Sequence, residues 1–200
     1  PNNPNTLFIG APAGGVWKSV DAGSTWTPLG DELSVIGISG IAIDPNNSNI
    51  IYLATGDTDG GDTYSIGILK SVDGGLSWSA AGNVAGETTE LIIDPTNSNV
   101  IYLATSSGVY KSINAGSSWN NIQGGNIRDI DIKPGSPNVI YAVSSSEFFM
   151  TTDSGASWNA VTSGLPNTSG RLAIATTAAN ANYVYVLSAT TGNGFQGVYR

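Results

Sequence analysis

The stretch SVDGGLSW, residues 71–78, decides the fold because it recurs along the chain. Related copies read SVDAGSTW from residue 19, SINAGSSW from residue 112 and TTDSGASW from residue 151. The tryptophans that end these copies are 52, 41 and 39 residues apart. Intervals of roughly 40 to 50 residues are typical of architectures built from small four-stranded sheets. The sequence therefore predicts a repeat protein.

A second phrase accompanies the first. It reads IAIDPNNSNIIYLAT from residue 41, LIIDPTNSNVIYLAT from 91 and IDIKPGSPNVIYAVS from 130, and we expect a degenerate copy from 172 with two extra turn residues. Each copy predicts two strands around a turn, because Pro fixes φ, Asn and Ser bond the local backbone, and the flanks are apolar. For the second repeat we expect strands at about 38–44, 49–55, 66–72 and 76–81. SVDGGLSW is then the turn between the third and fourth strands.

Together the phrases predict an all-β fold, a β-propeller or a segment of one with about four to five four-stranded blades. We expect blades at approximately 1–30, 31–81, 82–122, 123–161 and 162–200. The first blade is expected to lack its innermost strand, and the last is expected to stop at GVYR, before its own copy of the motif. We therefore expect part of a larger propeller, with the remainder in a longer parent chain.

Composition limits the classes of function. With 40% apolar and 11% charged residues, the 200-residue chain can bury the core of one ordinary domain. A net charge of −8 with only seven Lys and Arg opposes nucleic-acid binding, and no apolar run approaches the roughly 18 to 20 residues that cross a bilayer. The absence of Cys and His excludes disulfides, thiolate metal sites and a histidine base. We expect no nucleic-acid partner and no direct membrane insertion.

The four copies of the motif resemble the Asp-box, or BNR, pattern S/T-x-D-x-G-x-S/T-W. This pattern is found in sialidases, in xyloglucan-degrading glycoside hydrolases, in the sortilin ectodomain and in exported cell-surface propeller proteins of Bacteroidetes. Phrases such as GAPAGGVWKSVDAGSTW, from residue 10, are most similar to the last group. The resemblance covers nearly the whole chain, and it implies a secreted protein located outside the cell or at its surface.

The motif residues are interpreted as parts of a turn. The Asp can accept hydrogen bonds from turn N–H groups, the Gly can adopt a positive φ, and the Trp can bury a large surface between sheets. Identical acids in each repeat cannot all belong to one active site, and an amide replaces the acid in the third copy. We predict a structural role for Asp21, Trp26, Asp73, Trp78, Asn114, Trp119, Asp153 and Trp158.

The candidate ligand site is the mouth of the central channel, on the face opposite the motif turns. One residue before the first buried aliphatic of each inner strand should point to this mouth, and these residues are Gly40, Glu90, Asp129 and Arg171. Glu90, Asp129 and Arg171 are expected to form either a solvated polar rim or a ligand-binding mouth.

Four of the seven basic residues share one repeat position and are assigned to the architecture: Lys18, Lys70, Lys111 and Arg200. Only Arg128 and Arg171 remain to bind a substrate carboxylate, and this disfavours a sialidase, which needs an arginine cluster.

A further candidate site is the loop GDTDGGDTYS, residues 56–65, which no other repeat copies. Its acids Asp57, Asp59 and Asp62 are expected on the ligand side. Three close carboxylates repel one another unless solvent or a cation intervenes, and hard oxygen ligands favour Ca²⁺. The loop is therefore either a calcium site or a solvated acidic insertion.

The sequence favours a binding or structural module of an exported cell-surface protein, with a glycan or a protein as ligand. The alternative is a glycoside hydrolase of the Asp-box propeller type acting on a polysaccharide. Its second catalytic carboxylate would lie outside this chain, and the acidic loop lies near the place where the xyloglucan-degrading enzymes carry one catalytic Asp. A second carboxylate facing the acidic loop across the channel would distinguish the hydrolase from the binding module.

Overall fold

The regular secondary structure of the described residues is entirely β-strand. A computed structural model describes residues 3–30, 33, 37–57, 63–166 and 169–200. Within these ranges, eighteen strands form five antiparallel sheets, numbered I to V here in chain order. The same ranges contain no helical segment that could span a membrane. The all-β prediction is confirmed.

The strands follow chain order within each sheet. Sheet I contains β1 (Leu7–Ala11), β2 (Gly15–Ser19) and β3 (Thr27–Leu29), and sheet II contains β4 (Ile38–Ile43), β5 (Ile51–Thr55), β6 (Ile68–Ser71) and β7 (Ser79–Ala80). Sheet III contains β8 (Thr88–Ile93), β9 (Ile101–Thr105), β10 (Gly108–Ser112) and β11 (Asn120–Gly124). Sheet IV contains β12 (Asp129–Ile132), β13 (Ile140–Val143), β14 (Phe148–Thr151) and β15 (Asn159–Val161), and sheet V contains β16 (Arg171–Thr176), β17 (Val184–Ala189) and β18 (Phe195–Tyr199).

The first strands of sheets II to V form the inner side of the molecule. β4, β8, β12 and β16 are neighbours in this order, and β1 lies beside β4. The motif copies connect β2 to β3, β6 to β7, β10 to β11 and β14 to β15. The four strands expected for the second repeat are β4 to β7, and their ends differ from the expected positions by at most three residues.

The core consists of apolar layers between neighbouring sheets. In β5, Leu53 packs with Val16 of sheet I, whereas Ala54 packs with Leu91 of sheet III. Successive side chains of a strand point to opposite faces, so a strand covered on both faces is a continuous apolar run. All five residues of β5 and all five of β9 are buried, which explains the repeated phrase IYLAT. Each fully buried Leu or Ile contributes about 1.5 to 3 kcal/mol of transfer free energy.

Three of the four motif tryptophans pack into these layers. Trp78, Trp119 and Trp158 each contact the layer between their own sheet and the preceding sheet. The Nε1–H of Trp119 donates to the carbonyl of Ala81 in the preceding sheet, at 2.9 Å. The Nε1 atoms of Trp78 and Trp158 are buried and have no acceptor among the described residues. Equivalent tryptophans therefore differ in one hydrogen bond.

We predict that Trp119→Phe destabilises the protein more than Trp78→Phe. Both changes remove a similar part of the ring system, but only the first leaves a carbonyl without its donor. The expected difference in the free energy of unfolding is about 1 kcal/mol. Urea unfolding of the two variants, followed by far-UV circular dichroism, measures it, with Trp158→Phe as a second variant of the unpaired class. Equal losses in all three variants would contradict the prediction.

Candidate functional site

The motif turns are held by short hydrogen bonds to one carboxylate. In the second copy, Asp73 Oδ1 accepts from the Ser71 hydroxyl at 2.7 Å and from the Ser77 N–H at 2.9 Å. Asp73 Oδ2 accepts from the Ser77 hydroxyl at 2.6 Å. These bonds, the one from the Ser77 hydroxyl foremost, lower the pKa of Asp73. The carboxylate therefore serves as an ionised acceptor inside its own turn.

The other copies have the same geometry. The hydroxyls of Thr25 and Ser157 are the main cause that lowers the pKa of Asp21 and of Asp153, in both cases to about 2. In the third copy, Asn114 Oδ1 accepts from the Ser118 N–H at 2.9 Å, and its Nδ2 donates to the Ser118 hydroxyl at 2.9 Å. An amide closes the turn as an acid does, which favours the structural interpretation of the predicted motif residues.

The second, third and fourth motif turns each present a carbonyl to the preceding sheet. Two consecutive residues have positive φ; in the second copy they are Gly74 at 75° and Gly75 at 93°. Lys18 of sheet I donates from Nζ to the Gly74 carbonyl at 3.1 Å. Its ammonium also lies 5.3 Å from the ring centroid of Phe8, the residue paired with it on β1. We call this arrangement the lysine clamp.

The lysine clamp recurs between the next pairs of sheets. Lys70 Nζ donates to the Ala115 carbonyl at 3.2 Å and Lys111 Nζ to the Ser154 carbonyl at 2.8 Å. Ala115 and Ser154 have φ of 55° and 59°. The sequence placed these lysines at one repeat position but did not reveal their partners. Their acceptors lie about 40 to 60 residues further along the chain, in another sheet.

A cavity of about 290 Å³ lies where the inner strands β8, β12 and β16 begin, and we call it the mouth cavity. It is at the opposite end of the inner strands from the turns that lead to β9, β13 and β17. Its polar lining consists of Ser39, Asp57, Thr89, Glu90, Arg128, Asp129 and Arg171. The predicted mouth residues Glu90, Asp129 and Arg171 are thus brought together.

Bulges at the starts of β4 and β8 shape this cavity. The register of each strand shifts by one residue, at Ser39 and at Thr89. A bulge changes the direction of side chains at the end of a ladder. Thr89 donates from its hydroxyl to the Ile127 carbonyl at 3.1 Å, while the neighbouring Thr88 donates to the Thr55 carbonyl at 2.8 Å. Sheet III is thereby bonded on both sides at the mouth.

The expectation that Arg171 shares the register of Gly40, Glu90 and Asp129 is wrong. Those three residues each lie three positions before the end of their strand, and Ala173 occupies the equivalent position in β16. The turn after β16 has the same length as the others, since the residues paired across each of these turns are eight positions apart. The two extra turn residues expected there do not exist. Arg171 lies two residues closer to the mouth.

Asp129 binds the neighbouring inner strand. Its Oδ1 accepts from the Ile130 N–H and its Oδ2 from the Ile174 N–H on β16, both at 2.8 Å. Asp131 repeats the pattern with the N–H groups of Ile132 and Thr176, both at 2.8 Å. Burial raises the pKa of Asp129, although these N–H groups and the charge of Arg171 oppose the change. The sequence predicted the location of Asp129 but missed this bridge between sheets.

Glu90 has a different environment from Asp129. Its Oε1 accepts from the Leu91 N–H at 3.2 Å, within its own strand. Burial, and secondly the negative charge of Asp129, raise the pKa of Glu90 to about 7. A Cβ at Gly40 of the adjacent strand would lie 3.3 Å from the Cα of Glu90, so glycine there suits the close approach of β4 to β8. The carboxyl therefore exchanges a proton near neutral pH inside a polar cavity.

Only one of the three predicted calcium ligands can be placed. Asp57 lines the mouth cavity, whereas Asp59 and Asp62 lie outside the described residues. The described residues contain no group of three or more acids, cysteines or histidines that could hold a metal ion. Calcium binding by this loop stays a prediction. Arg128 and Arg171 add two guanidinium groups to the cavity, so it can both donate to and accept from a polar ligand.

Three solved structures are similar to this chain: an enzyme, a protein bound to a peptide, and an extracellular domain. The chain is similar to the GH74 xyloglucanase from Xanthomonas campestris, at 19% identity over 94% of this chain and 32% of that chain, with a TM-score of 0.75. It is similar to YCF48 bound to D1 peptide, at 14% identity over 98% and 63%, with a TM-score of 0.61. It is also similar to the extracellular domain of BT4673 from Bacteroides thetaiotaomicron, at 13% identity over 98% and 26%, with a TM-score of 0.69.

These likenesses show the fold alone, which is that of a β-propeller segment. The propeller prediction is confirmed. The chain spans 23% to 32% of the length of three GH74 enzymes that it matches. No protein-family model and no curated protein matches the sequence.

We predict that Phe8→Tyr stabilises the protein. In sheets II and III the equivalent tyrosines also bond the clamped carbonyl, as Tyr52 does with Ala115 at 3.0 Å. A hydroxyl on Phe8 would reach the Gly74 carbonyl in the same way and add about 0.5 to 1 kcal/mol. Urea unfolding measures the gain, and Tyr52→Phe, which removes the existing bond, is the matched control with a loss of similar size. A loss of stability in Phe8→Tyr would contradict the equivalence of the clamps.

We predict that the ionisation of Glu90 destabilises the folded protein as pH rises. Its pKa is raised from 4.5 to about 7, so the folded state binds the proton more tightly than the unfolded state. The resulting stabilisation is complete below about pH 4.5 and is lost as pH rises through about 7, by at most about 3 kcal/mol. Glu90→Gln should remove this part of the pH dependence.

Urea unfolding at about pH 5 and about pH 8 tests this expectation. The exposed Glu147 provides the matched control, Glu147→Gln, which should keep the pH dependence of the wild type. If Glu90→Gln and the wild type lose stability equally between the two pH values, Glu90 is not the titrating group.

Proposed function

We propose that the chain is a non-catalytic binding module of an exported cell-surface protein, and that the mouth cavity binds its ligand. One observation carries this proposal. Residues of the motif turns and lysine clamps repeat from sheet to sheet, whereas the equivalent inner positions Gly40, Glu90, Asp129 and Ala173 all differ. Positions whose residues differ from sheet to sheet can be adapted to a ligand.

The chemistry of the cavity favours a polar ligand. Two guanidinium groups, a carboxyl that is protonated below about pH 7 and the hydroxyls of Ser39 and Thr89 can bond sugar hydroxyls or peptide groups. A glycan and an extended protein segment both present such groups. The structure of YCF48 with D1 peptide and the extracellular domain of BT4673 support a protein ligand and an exported context for relatives of this fold. The four motif turns support membership of the Asp-box group.

A glycoside hydrolase is the second candidate. The mouth cavity contains Asp57 of the acidic loop together with Glu90, so a second carboxylate shares the cavity within this chain. A carboxyl with a raised pKa suits a general acid, and glycoside hydrolysis needs a second carboxylate as base or nucleophile. Asp129 suits neither role, because both its oxygens already accept backbone N–H groups. The likeness to GH74 enzymes supports this alternative.

A glycan array and a library of extended peptides, probed with the purified chain, test the binding proposal. For the best ligand we expect Arg128→Ala to weaken binding by about tenfold or more, since a charged hydrogen bond contributes about 1.5 to 3 kcal/mol. Lys133→Ala is the control, because Lys133 lies at the turn between β12 and β13, at the other end of the inner strands. Unchanged affinity in Arg128→Ala would exclude the mouth cavity as the site.

The same preparation distinguishes the hydrolase. The hydrolase predicts release of reducing sugar from xyloglucan or another β-glucan. This release should be abolished in Glu90→Gln and retained in Glu147→Gln. That result would support the glycoside hydrolase and contradict the non-catalytic binding module. Binding without release supports the module.

A further inference from the structure

Among the described residues, the guanidinium of Arg128 is a cation of the mouth cavity without a partner. It is half-buried, donates no hydrogen bond to another described residue and forms no ion pair with one. Arg171, the other arginine of the cavity, is engaged, since its charge acts on Asp129. A guanidinium binds a carboxylate through two parallel N–H···O bonds. Arg128 is therefore the group of the cavity best suited to an anionic ligand.

The carboxyl of Glu90 lines the same cavity and has one oxygen available. Its Oε1 accepts from the Leu91 N–H, whereas its Oε2 accepts no hydrogen bond from a described residue. Asp129 differs, because both its oxygens accept backbone N–H groups. Burial, and secondly the charge of Asp129, raise the pKa of Glu90 to about 7. A proton that enters this pair of carboxyls therefore binds preferentially to Glu90.

The charges around Glu90 make the cavity sensitive to its protonation. Strands β4, β5, β9 and β12 pack against β8, and β4 has no titratable residue. Tyr52 of β5 and Tyr102 of β9 bond carbonyls of motif turns and do not line the cavity. Asp129 and Asp131 of β12 both raise the pKa of Glu90. The other charged groups of the lining are Asp57, Arg128 and Arg171. With Glu90 neutral, the two aspartates of the lining balance its two arginines, so a protonated Glu90 favours an anionic ligand.

The inner strands beside the cavity have few N–H groups to offer a peptide backbone. An extended peptide binds by pairing with the free N–H and C=O groups of a strand edge. At the mouth end of β8, β12 and β16, the N–H groups of Leu91, Ile130 and Ile174 already donate to acidic side chains. The acceptors are Glu90 and Asp129. This arrangement disfavours an extended peptide as the occupant of the cavity.

A sugar ring suits the cavity better than an extended peptide. The volume of about 290 Å³ is near the lower end of the range for small-ligand pockets, roughly 300 to 1,000 Å³. The buried side chains of Ile38 and Leu172 can contact the C–H groups of a ring. The hydroxyls of Ser39 and Thr89 can accept from the ring hydroxyls. With Arg128 beside them, these groups match a sugar that carries a carboxylate.

We propose that the mouth cavity binds a uronic acid residue of a polysaccharide, with Arg128 bonding its carboxylate, and that Glu90 takes up one proton from solvent on binding. The inference rests on the proposed function and names its ligand class. The protonated carboxyl of Glu90 donates its O–H to an oxygen of the sugar, whereas the ionised form can only accept and repels the charge of the ligand. The sugar carboxylate stays ionised, because ordinary carboxyl groups have pKa values of about 3 to 4.

Methyl NMR of the cavity lining tests the proposal. The methyl signals of Ile38 and Leu172 report binding at the mouth, and titrations with D-glucuronate and with its amide, D-glucuronamide, give the two dissociation constants. At about pH 5.5 we expect glucuronate to bind about tenfold or more tightly than the amide, because only the acid pairs with Arg128. From about pH 5.5 to about pH 8.5 the protonated fraction of Glu90 falls about thirtyfold, so the affinity for glucuronate should fall about tenfold or more.

Three variants separate the two parts of the proposal. Glu90→Gln keeps a donor and cannot ionise, so it should bind glucuronate equally at both pH values, with about the affinity of the wild type at the lower pH. Arg128→Gln should weaken glucuronate binding about tenfold or more at both pH values and leave glucuronamide unaffected. Glu147→Gln changes an exposed carboxyl outside the cavity and, as the matched control, should behave like the wild type. Dispersed methyl spectra establish that each variant is folded.

Several results would overturn the proposal. Glucuronate could leave the cavity methyl signals unchanged, bind no better than its amide, or bind equally at both pH values. Glu90→Gln could keep the pH dependence of the wild type. N-acetylalanine, a probe for a peptide carboxylate, could bind more tightly than glucuronate. None of these results contradicts the binding module, which has its own test in the effect of Arg128→Ala on the best ligand of the array or the peptide library.

Discussion

The structure depends on a carbonyl that two consecutive left-handed residues turn away from their own sheet. Lys18, Lys70 and Lys111 donate to this carbonyl from the preceding sheet. A hydrogen bond from a charged group contributes about 1.5 to 3 kcal/mol, and the aromatic ring beneath each ammonium adds about 0.5 to 1 kcal/mol. The Asp or Asn of the motif keeps the turn in the conformation that presents the carbonyl. Asp, Gly and Lys therefore recur together because they form one contact between neighbouring sheets, the motif turn with its lysine clamp.

The lysine clamps hold the outer strands of neighbouring sheets together. The residues at the mouth end of the inner strands can therefore vary from sheet to sheet. The bulges at Ser39 and Thr89 change the side-chain directions at the mouth, and Asp129 and Glu90 show two outcomes at equivalent positions. The carboxylate of Asp129 accepts from the N–H of Ile174 on the neighbouring strand, whereas that of Glu90, among the described residues, accepts from the next residue of its own strand alone.

The fold could be predicted from the sequence because its determinants are local and repeated. The motif encodes a turn, and IYLAT encodes a strand that is covered on both faces. The contacts between sheets could not be predicted, because they join residues about 40 to 60 positions apart, as Lys70 and Ala115 show. Arg171 was misplaced by two residues because the degenerate phrase hid the constant turn length. The position of Asp129 at the mouth could be predicted. The hydrogen bonds to its carboxylate could not, because one donor lies on a neighbouring strand.

Sheet V is attached differently from the other sheets. Sheet IV has Met150 at the position of the clamping lysines, since it pairs with Tyr141 as Lys70 pairs with Tyr52. Its connection to sheet V is made instead by Asp129 and Asp131, which bond Ile174 and Thr176 on the innermost strand. Sheets I to IV are thus fastened at their outer edge, and sheet V near the axis. The hydrogen bonds of Asp129 and Asp131 lie near the axis, whereas apolar packing, such as that of Tyr199, joins the outer strands of sheets IV and V. Local opening of sheet V would therefore begin at β18 and reach β16 last.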